Sequence, residues 1–516
     1  MFRRLFVKKN QRIIDDKVEE INESLENSDL VRSLDNNIEA IRRLFEDVDI
    51  LRIKYIENNR YKNPRYCIVY CDGVVNASII NDNLIKPLML SSVSVSGEDV
   101  INILMNQVVQ INETEISDSL KDIIEAITYG NTVLFADGAA EAIILNTKNF
   151  QTRAITEPEN EKNLSGPREG FNESLMSNLS LIRRKVLTPE LKMKFYTLGR
   201  RTKTKACICY MDGIVNKQVL SELYRRLDKI DIDAVLDTNY ITELIKDSRL
   251  SPFRTTGYTE RPDTVIGKLM EGRIAIFLDG TPDVLTVPYI FIENFQSSED
   301  YYLNFFYSSF SRLIRIMGFL LTITIPGLYI SIVAFHHEMM PMPLFISIAA
   351  ERQSVPLPAS LEALIMIIAF DILRETGVRM PSNIGQALSI VGALVIGQAA
   401  VEAKLVAAPM IIVVALTGIT NLLVPKMNAP VIYIRLILLL LSSIFGFFGF
   451  VLGISGILIH VINLRSFDIP QLTPSGKLQY QEIKDTFFRA PWWQMILRPN
   501  FAKDKVRINN GRNDDD

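Results

Sequence analysis

The sequence predicts an α/β soluble region of two similar subdomains, made by internal duplication, followed by an all-α polytopic membrane domain. Three observations carry this. Uncharged apolar runs of spanning length crowd the second half of the chain, whereas residues 1–311 hold 39 Lys+Arg and 46 Asp+Glu of the 56 and 59 in the whole sequence. In the first half, Cys67-Ile-Val-Tyr-Cys-Asp-Gly-Val-Val-Asn76 aligns without a gap on Cys207-Ile-Cys-Tyr-Met-Asp-Gly-Ile-Val-Asn216. A soluble core helix shows a polar stripe because one face meets water, and these apolar runs show none.

In chain order, residues 1–62 read as a charged, helical N-terminal segment. Residues 63–155 form the first subdomain, 156–200 a linker helix and 201–295 the second subdomain. Each copy reads strand, turn, helical stretch and a second strand: Thr132-Val-Leu-Phe-Ala-Asp-Gly138 repeats as Ile274-Ala-Ile-Phe-Leu-Asp-Gly280. The Asp-Gly ends suit tight turns, where glycine supplies positive φ; catalytic acids at strand ends are the sharper alternative, but no partner base or Gly-rich phosphate loop accompanies them. The four cysteines (Cys67, Cys71, Cys207, Cys209) fall among Ile, Val and Tyr and read as core residues rather than a zinc set. The histidines, His336, His337 and His460, form no metal set either. No catalytic, cofactor or metal constellation is predicted, so the expectation is a protein that is not an enzyme. A net charge of −3 gives no argument for nucleic acid.

Residues 296–312 couple the soluble part to a membrane domain at 313–465. Its spans are expected at about 316–335, 381–401, 405–425 and 436–464, each reaching roughly 30 Å or more as helix. Ala363 to Phe370 is apolar but bounded by Glu362 and Asp371, which suggests a re-entrant or interfacial helix at about 361–376. If that segment spans, the tail changes side. Pro326 interrupts the first span and should kink it. With no cleavable leader, the soluble part is expected in the cytosol. Arg312 and Arg315 before the first span and nine Lys/Arg after Leu464 then follow the positive-inside rule. Residues 466–516 form a cytosolic tail, with Phe487 to Leu497 as an interfacial helix anchored by Trp492 and Trp493.

On the second span, Gly385, Ser389, Ala393 and Gly397 recur every four residues, a small-residue face for close helix approach. On the last span, Ser442, Gly446, Gly449, Gly453, Gly456 and His460 form a similar stripe. Packing inside one subunit and an intersubunit or pore-facing role are both open. Gln386, Gln398 and Glu402 are costly in lipid and should face protein or water. Gln398 is the pore candidate, and Glu402 caps a helix hairpin or serves permeation. Arg168, Glu169, Glu260, Arg261 and Asp263 sit in Gly/Pro loops, either as solvated turns or as an ion-pair network joining the linker to the second subdomain.

These residues resemble the A subunit of spore germinant receptors, the GerA family. The membrane half carries the resemblance in Leu373-Arg-Glu-Thr-Gly-Val-Arg-Met-Pro381 and Ile390-Val-Gly-Ala-Leu-Val-Ile-Gly-Gln-Ala-Ala-Val-Glu-Ala403. The soluble half carries it in Gly166-Pro-Arg-Glu-Gly-Phe171 and Thr259-Glu-Arg-Pro-Asp263, and the tail in Lys484-Asp-Thr-Phe-Phe-Arg-Ala-Pro491 and Arg498-Pro499. The resemblance implies a multi-pass protein of the spore inner membrane, beside transporter-like B and lipoprotein C subunits. It also implies a homo-oligomeric channel element that couples nutrient detection to ion release. A stage V sporulation AF-type accessory protein shares the motifs. A secondary transporter is the contrasting class, but the repeat lies in the soluble half rather than among the spans.

Overall fold

The computed structural model describes residues 28–57, 65–91, 100–149, 161, 163, 165–380, 382–472, 485–504, 506 and 507, without the side chains of 378 and 382–390. Much of the N-terminal segment and the interior of the tail, Lys484 included, therefore lie outside the described residues. The chain divides into two units. One comprises residues 1–246, 256–288 and 496–516; the other comprises 247–255 and 289–495.

The first unit is built twice from the same nine elements. The first set is α1 (Leu34–Leu44), β1 (Leu51–Ile56), β2 (Tyr66–Cys71), α2 (residues 77–90), α3 (residues 100–108), β3 (Thr114–Ser117), α4 (Leu120–Thr128), β4 (Thr132–Ala136) and β5 (Ala142–Leu145). The second is α5 (Leu175–Lys185), β6 (Leu191–Leu198), β7 (Thr204–Met211), α6 (Lys217–Leu227), α7 (Thr238–Ile245), β8 (Gly257–Thr259), α8 (Pro262–Met270), β9 (Ile274–Leu278) and β10 (Val284–Val287). The antiparallel sheets have the same order, β1-β2-β4-β5-β3 and β6-β7-β9-β10-β8. Register repeats as well: Cys67 lies opposite Phe135, and Cys207 opposite Phe277.

Each repeat therefore begins earlier than the sequence suggests, at about residue 30 and again at about 170. The expected helical segment 1–62 holds a strand, β1, and the expected linker helix 156–200 holds α5 and β6, the first elements of the second repeat. A central strand such as β2 or β7 needs a partner on its open edge, and β1 and β6 supply it in full register. Both faces of the first sheet are covered. Alternate residues such as Cys67, Val69 and Phe135 enter a core shared with α1, α4, α5, α8 and the second sheet. The intervening set, Ile68, Leu134 and Ile143, packs under α2 and α3.

In the second unit, α9 (Phe305–Phe335) and the run Pro425–Asn463 are, among the described residues, the two stretches long and apolar enough to cross a membrane. Between them come α10 (Met342–Arg352), α11 (Ala359–Arg379), α12 (Ser382–Glu402) and α13 (Ala408–Asn421). The last run, α14 (Asn428–Asn463), is not one rod. Gly446 breaks it, with φ 58° and ψ −139°. A Cβ built on Gly453 would lie 2.6 Å from Leu438 Cδ2, although fifteen residues of straight helix would separate them by about 22 Å. The stretches on either side of Gly446 therefore fold back as antiparallel arms. The hairpin tip meets the end of α9, since a Cβ on Gly446 would fall 2.8 Å from Phe335 Cβ.

Three expectations about the membrane half are corrected. The predicted single span at 436–464 is this hairpin, because only a residue without Cβ turns the chain so sharply. The helix expected near 361–376, re-entrant or interfacial, is longer than predicted: α11 has 21 residues, about 31 Å of helix. The predicted span at 405–425 is helical for only 14 residues, about 21 Å. A full-length α11 and a hairpin each add a reversal, and the two cancel. Leu464 accordingly shares a core with Phe319 and Val431, near the end of the bundle at which α9 begins. The interfacial helix expected over Phe487 to Leu497 is a single 3-10 turn, Trp492–Gln494, hemmed by Pro491 and Pro499.

Candidate functional site

The turns that end β4 and β9 show what their aspartates do. Asp137 accepts the Leu34 N–H that opens α1, and Asp279 accepts the Leu175 N–H that opens α5, at 3.5 and 3.1 Å. The following glycines have φ +90° and +92°, and their N–H groups bond the carbonyls of Arg32 and Glu173. Both carboxylates cap helices and both glycines supply the turn, so these acids have structural partners. One turn along each helix, Asn37 and Asn178 clasp the preceding chain. Asn37 exchanges bonds of 2.6 and 3.0 Å with Val31, and Asn178 exchanges 2.6 and 2.9 Å with Asn172. The cysteines are all buried and free. Burial pushes the Cys67 thiol up to about 12 and Cys71 up to about 11, the reverse of a reactive thiolate.

The charged loops divide. Arg261 is buried and forks onto Asp263 through Nε and Nη2 at 3.1 and 2.9 Å; Nη1 donates to Glu161 O at 3.2 Å and Nη2 also to Pro167 O at 2.6 Å. The Glu161 carboxylate accepts the Glu260 N–H at 3.1 Å, and Phe171 N–H donates to Glu260 O at 2.8 Å. Arg261 and Asp263 thus tie the linker to the second repeat. Glu169 turns instead to α5. Burial works against its charge, but Lys185 and Arg184 outweigh it and hold the carboxyl below its usual range. Arg168 is exposed and stands apart from this clasp.

The densest polar cluster lies in the second unit, around Arg312 on the first turns of α9. Arg312 is wholly buried. Its Nε and Nη2 donate to Asp300 Oδ2, both at 3.2 Å, and its Nη1 donates to the Asp485 carboxylate and carbonyl, each at 2.8 Å. Nη1 also reaches Thr486 O at 3.2 Å. Tyr301 donates to Asp485 at 2.6 Å, Gln296 Nε2 reaches Asp485 O at 2.9 Å, and Arg315 pairs with Asp300. One guanidinium thereby holds the segment before α9, α9 itself and the segment that returns after the hairpin. Fully partnered buried charges of this kind fix geometry, and removing one partner leaves the others uncompensated.

Two more buried charges lie inside the bundle. Glu362 of α11 is 1% exposed; its carboxylate accepts the Ala407 N–H at 3.0 Å, capping α13, and Arg352 lies 3.5 Å away. Arg435 of α14 pairs with Asp371 of α11. Paired in this way, the acids that bound the short apolar run no longer stop α11 from continuing. Glu362 and Asp371 entered the sequence reading only as boundaries; the signal was their placement inside an otherwise apolar segment.

The small-residue candidates separate by neighbour. Gly449 and Gly453 face Leu441 and Leu438 across the hairpin, and Gly446 is its turn, so these three pack within the chain. Gly456 meets nothing within 4 Å. On α12, a Cβ on Gly397 would lie 3.5 Å from Ile411 of α13. Ala393 is half-buried, while Gly385, Gln386 and Ser389 have side chains outside the described residues. Gln398 and Glu402 are exposed and bond each other at 2.8 Å.

The fold and its clusters define a class: a helical membrane bundle, entered and left through one buried arginine clamp, attached to a duplicated α/β unit. The family described as Bacillus/Clostridium GerA spore germination protein matches residues 39–501, and the chain belongs to it. It is 43% identical over 434 residues to "Uncharacterized membrane protein YfkQ" of Bacillus subtilis, covering 84% of each chain. It is 39% identical to "Spore germination protein KA" of the same species, covering 93% of this chain and 88% of the relative. To "Spore germination protein GerLA" of Bacillus cereus the identity is 34%, over 86% and 90%. Among solved structures, the N-terminal domain of the A subunit of the Bacillus megaterium spore germinant receptor GerK3 is 30% identical. It covers 51% of this chain and 98% of that one, with a TM-score of 0.42.

Proposed function

We propose that this chain is the A subunit of a nutrient-sensing germination receptor in the spore inner membrane. In this reading it works beside B and C subunits, assembles with copies of itself, and couples germinant detection to ion release. Its soluble unit faces the cytosol and does no chemistry; the acids most exposed to a catalytic reading, Asp137 and Asp279, are occupied as helix caps.

The Arg312 clamp carries the proposal. Three stretches, around Asp300, Arg312 and Asp485, converge on one buried side chain at the foot of α9, so a shift in any of them is felt by the bundle. In spores where this chain is the only copy, Arg312→Gln should reduce nutrient-triggered cation release about tenfold or more, with chain abundance unchanged; breaking a buried pair commonly removes 3–5 kcal/mol. Release at the normal rate in that variant would show that the clamp does not couple. In the same reading Gln398 borders the conducting path. A Gln398→Cys variant that no aqueous thiol reagent reaches, at rest or during germination, removes that residue from the path.

A further inference from the structure

The Leu373–Pro381 motif is left without a role by the coupling scheme, and the first of its two arginines, Arg374, sits in an unbalanced site. Asp371 and Arg374 lie three residues apart on α11, on the side that meets the first arm of the α14 hairpin. Arg435 of that arm, its side chain 4% exposed, pairs with Asp371. Arg374 lies within electrostatic range of Arg435. Nη1 of Arg374 and Nε of Arg435 are both shut off from solvent without a hydrogen-bond partner. Glu375, the nearest other acid in sequence, is engaged by Arg379 at 2.7 Å on an exposed face. One carboxylate, paired with Arg435, is thus set against two guanidiniums, a net charge of +1, with two buried donors unmet.

Each unmet donor costs about 1–3 kcal/mol, so an acceptor is expected there. Water could accept the hydrogen bonds but would leave the charge unbalanced; a phosphate oxyanion does both. Arg435 stands seven residues above the hairpin's first residue, about 10 Å from the end of the bundle that carries Arg312, Arg315 and Lys426. From below the interface, arginine stems reach outward toward headgroup phosphates. Asp371 remains 27% exposed, so the cluster opens outward. Exposed Ile368, Ile372, Tyr433 and Ile437 flank it with apolar surface suited to acyl chains.

We propose that Arg374 and Arg435, braced by Asp371, form a binding site for the phosphate group of an anionic phospholipid between α11 and the first hairpin arm. The full-length chain, reconstituted in phosphatidylcholine with or without phosphatidylglycerol and released into native mass spectrometry, should retain phosphatidylglycerol in preference to phosphatidylcholine. Arg374→Gln should lower that retention about tenfold, the loss of one charged hydrogen bond, and Arg374→Lys should keep most of it. Asp371→Asn, which raises the local positive charge, should increase retention, and so reports even if the arginine variants accumulate poorly. Equal retention of both lipids overturns the site, as does retention unchanged by Arg374→Gln or not raised by Asp371→Asn. Thermal stabilisation by inorganic phosphate in pure phosphatidylcholine, dependent on Arg374 and not competed by phosphatidylglycerol, would assign a soluble anion instead and overturn the lipid.

Discussion

The two repeats of the soluble unit differ chiefly in what completes them. In the first, the chain continues past β5 and Asn149 N–H bonds Val74 O at 3.0 Å. In the second, the chain leaves after β10 for the membrane bundle, and the equivalent carbonyl, Ile214 O, receives Lys503 N–H at 2.9 Å. Asn76 and Asn216 are equivalent helix caps, and Asn216 also reaches Phe501 O at 3.2 Å. Gly130 and Gly272 are equivalent too; a Cβ on Gly272 would sit 3.0 Å from Ala502. Arg498 adds a bond to Met270 O at 2.8 Å, closing the end of α8. The second repeat is finished by residues 498–503, which return to it from the end of the membrane half.

The largest effect should come from cutting that last piece. Ending the chain after Met495 removes Phe501 and Ala502, both buried, and frees Ile214 O. A loss of about 3–5 kcal/mol is expected, as for an aromatic core truncation. Hydrogen exchange reads it locally: β9 and α8 should lose protection while β4 and α4 keep theirs. Equal loss in both repeats, or none, would break the comparison.

A second contrast concerns matched arginines. Arg183 and Arg42 occupy the same place on α5 and α1, but Arg183 is wholly buried and Arg42 is exposed. Arg183 donates to Thr188 O at 2.8 Å and Leu191 O at 2.9 Å, pinning the chain between α5 and β6. Arg183→Ala should cost about 2–4 kcal/mol, because two buried carbonyls lose their donors, whereas Arg42→Ala should stay within about 0.5 kcal/mol. Chemical denaturation of both variants checks this. The asparagine clasps should behave alike: Asn37→Ala and Asn178→Ala should each cost about 1–3 kcal/mol, and a large difference between them would show that the repeats are not equivalent there.

Part of this was legible in the sequence. The Cys67 and Cys207 segments marked the duplication because buried central strands keep their apolar run and their Asp-Gly turn. The start of each repeat was also written in the chain, as Ser33-Leu-Asp-Asn-Asn37 with Ile41-Arg42-Arg43 against Ser174-Leu-Met-Ser-Asn178 with Ile182-Arg183-Arg184. Asp35 and Glu39 in the first copy stand against Met176 and Ser180 in the second, which disguised the pair as two unrelated helices. The hairpin at Gly446 was not legible. Its arms are apolar all round, so hydropathy cannot distinguish one long rod from two short ones, and the glycine that turns resembles the glycines that pack. Neither the Arg312 clamp nor the tail's place in the second repeat has a local signature, since each joins residues far apart in sequence.

The smallest effect at neutral pH is expected from a pH dependence that the repeats should not share. Cys71 of the first repeat corresponds to Met211 of the second, which has nothing to ionise. Burial raises the Cys71 thiol from the ordinary 9.0 to about 11. A raised value means that the folded chain favours the neutral thiol. The associated stability is therefore complete below about pH 9 and is lost as pH climbs toward 11, when the unfolded chain ionises first. The two-unit shift corresponds to about 2–3 kcal/mol by the upper end of that window. Cys71→Met, placing in the first repeat what the second already carries, should leave stability at pH 7 nearly unchanged and flatten the fall between pH 9 and 11. Urea unfolding followed by exchange in β2 and β7 separates the repeats. If the alkaline fall in β2 is as steep in the Cys71→Met variant as in the parent chain, burial of that thiol is not what sets the first repeat apart.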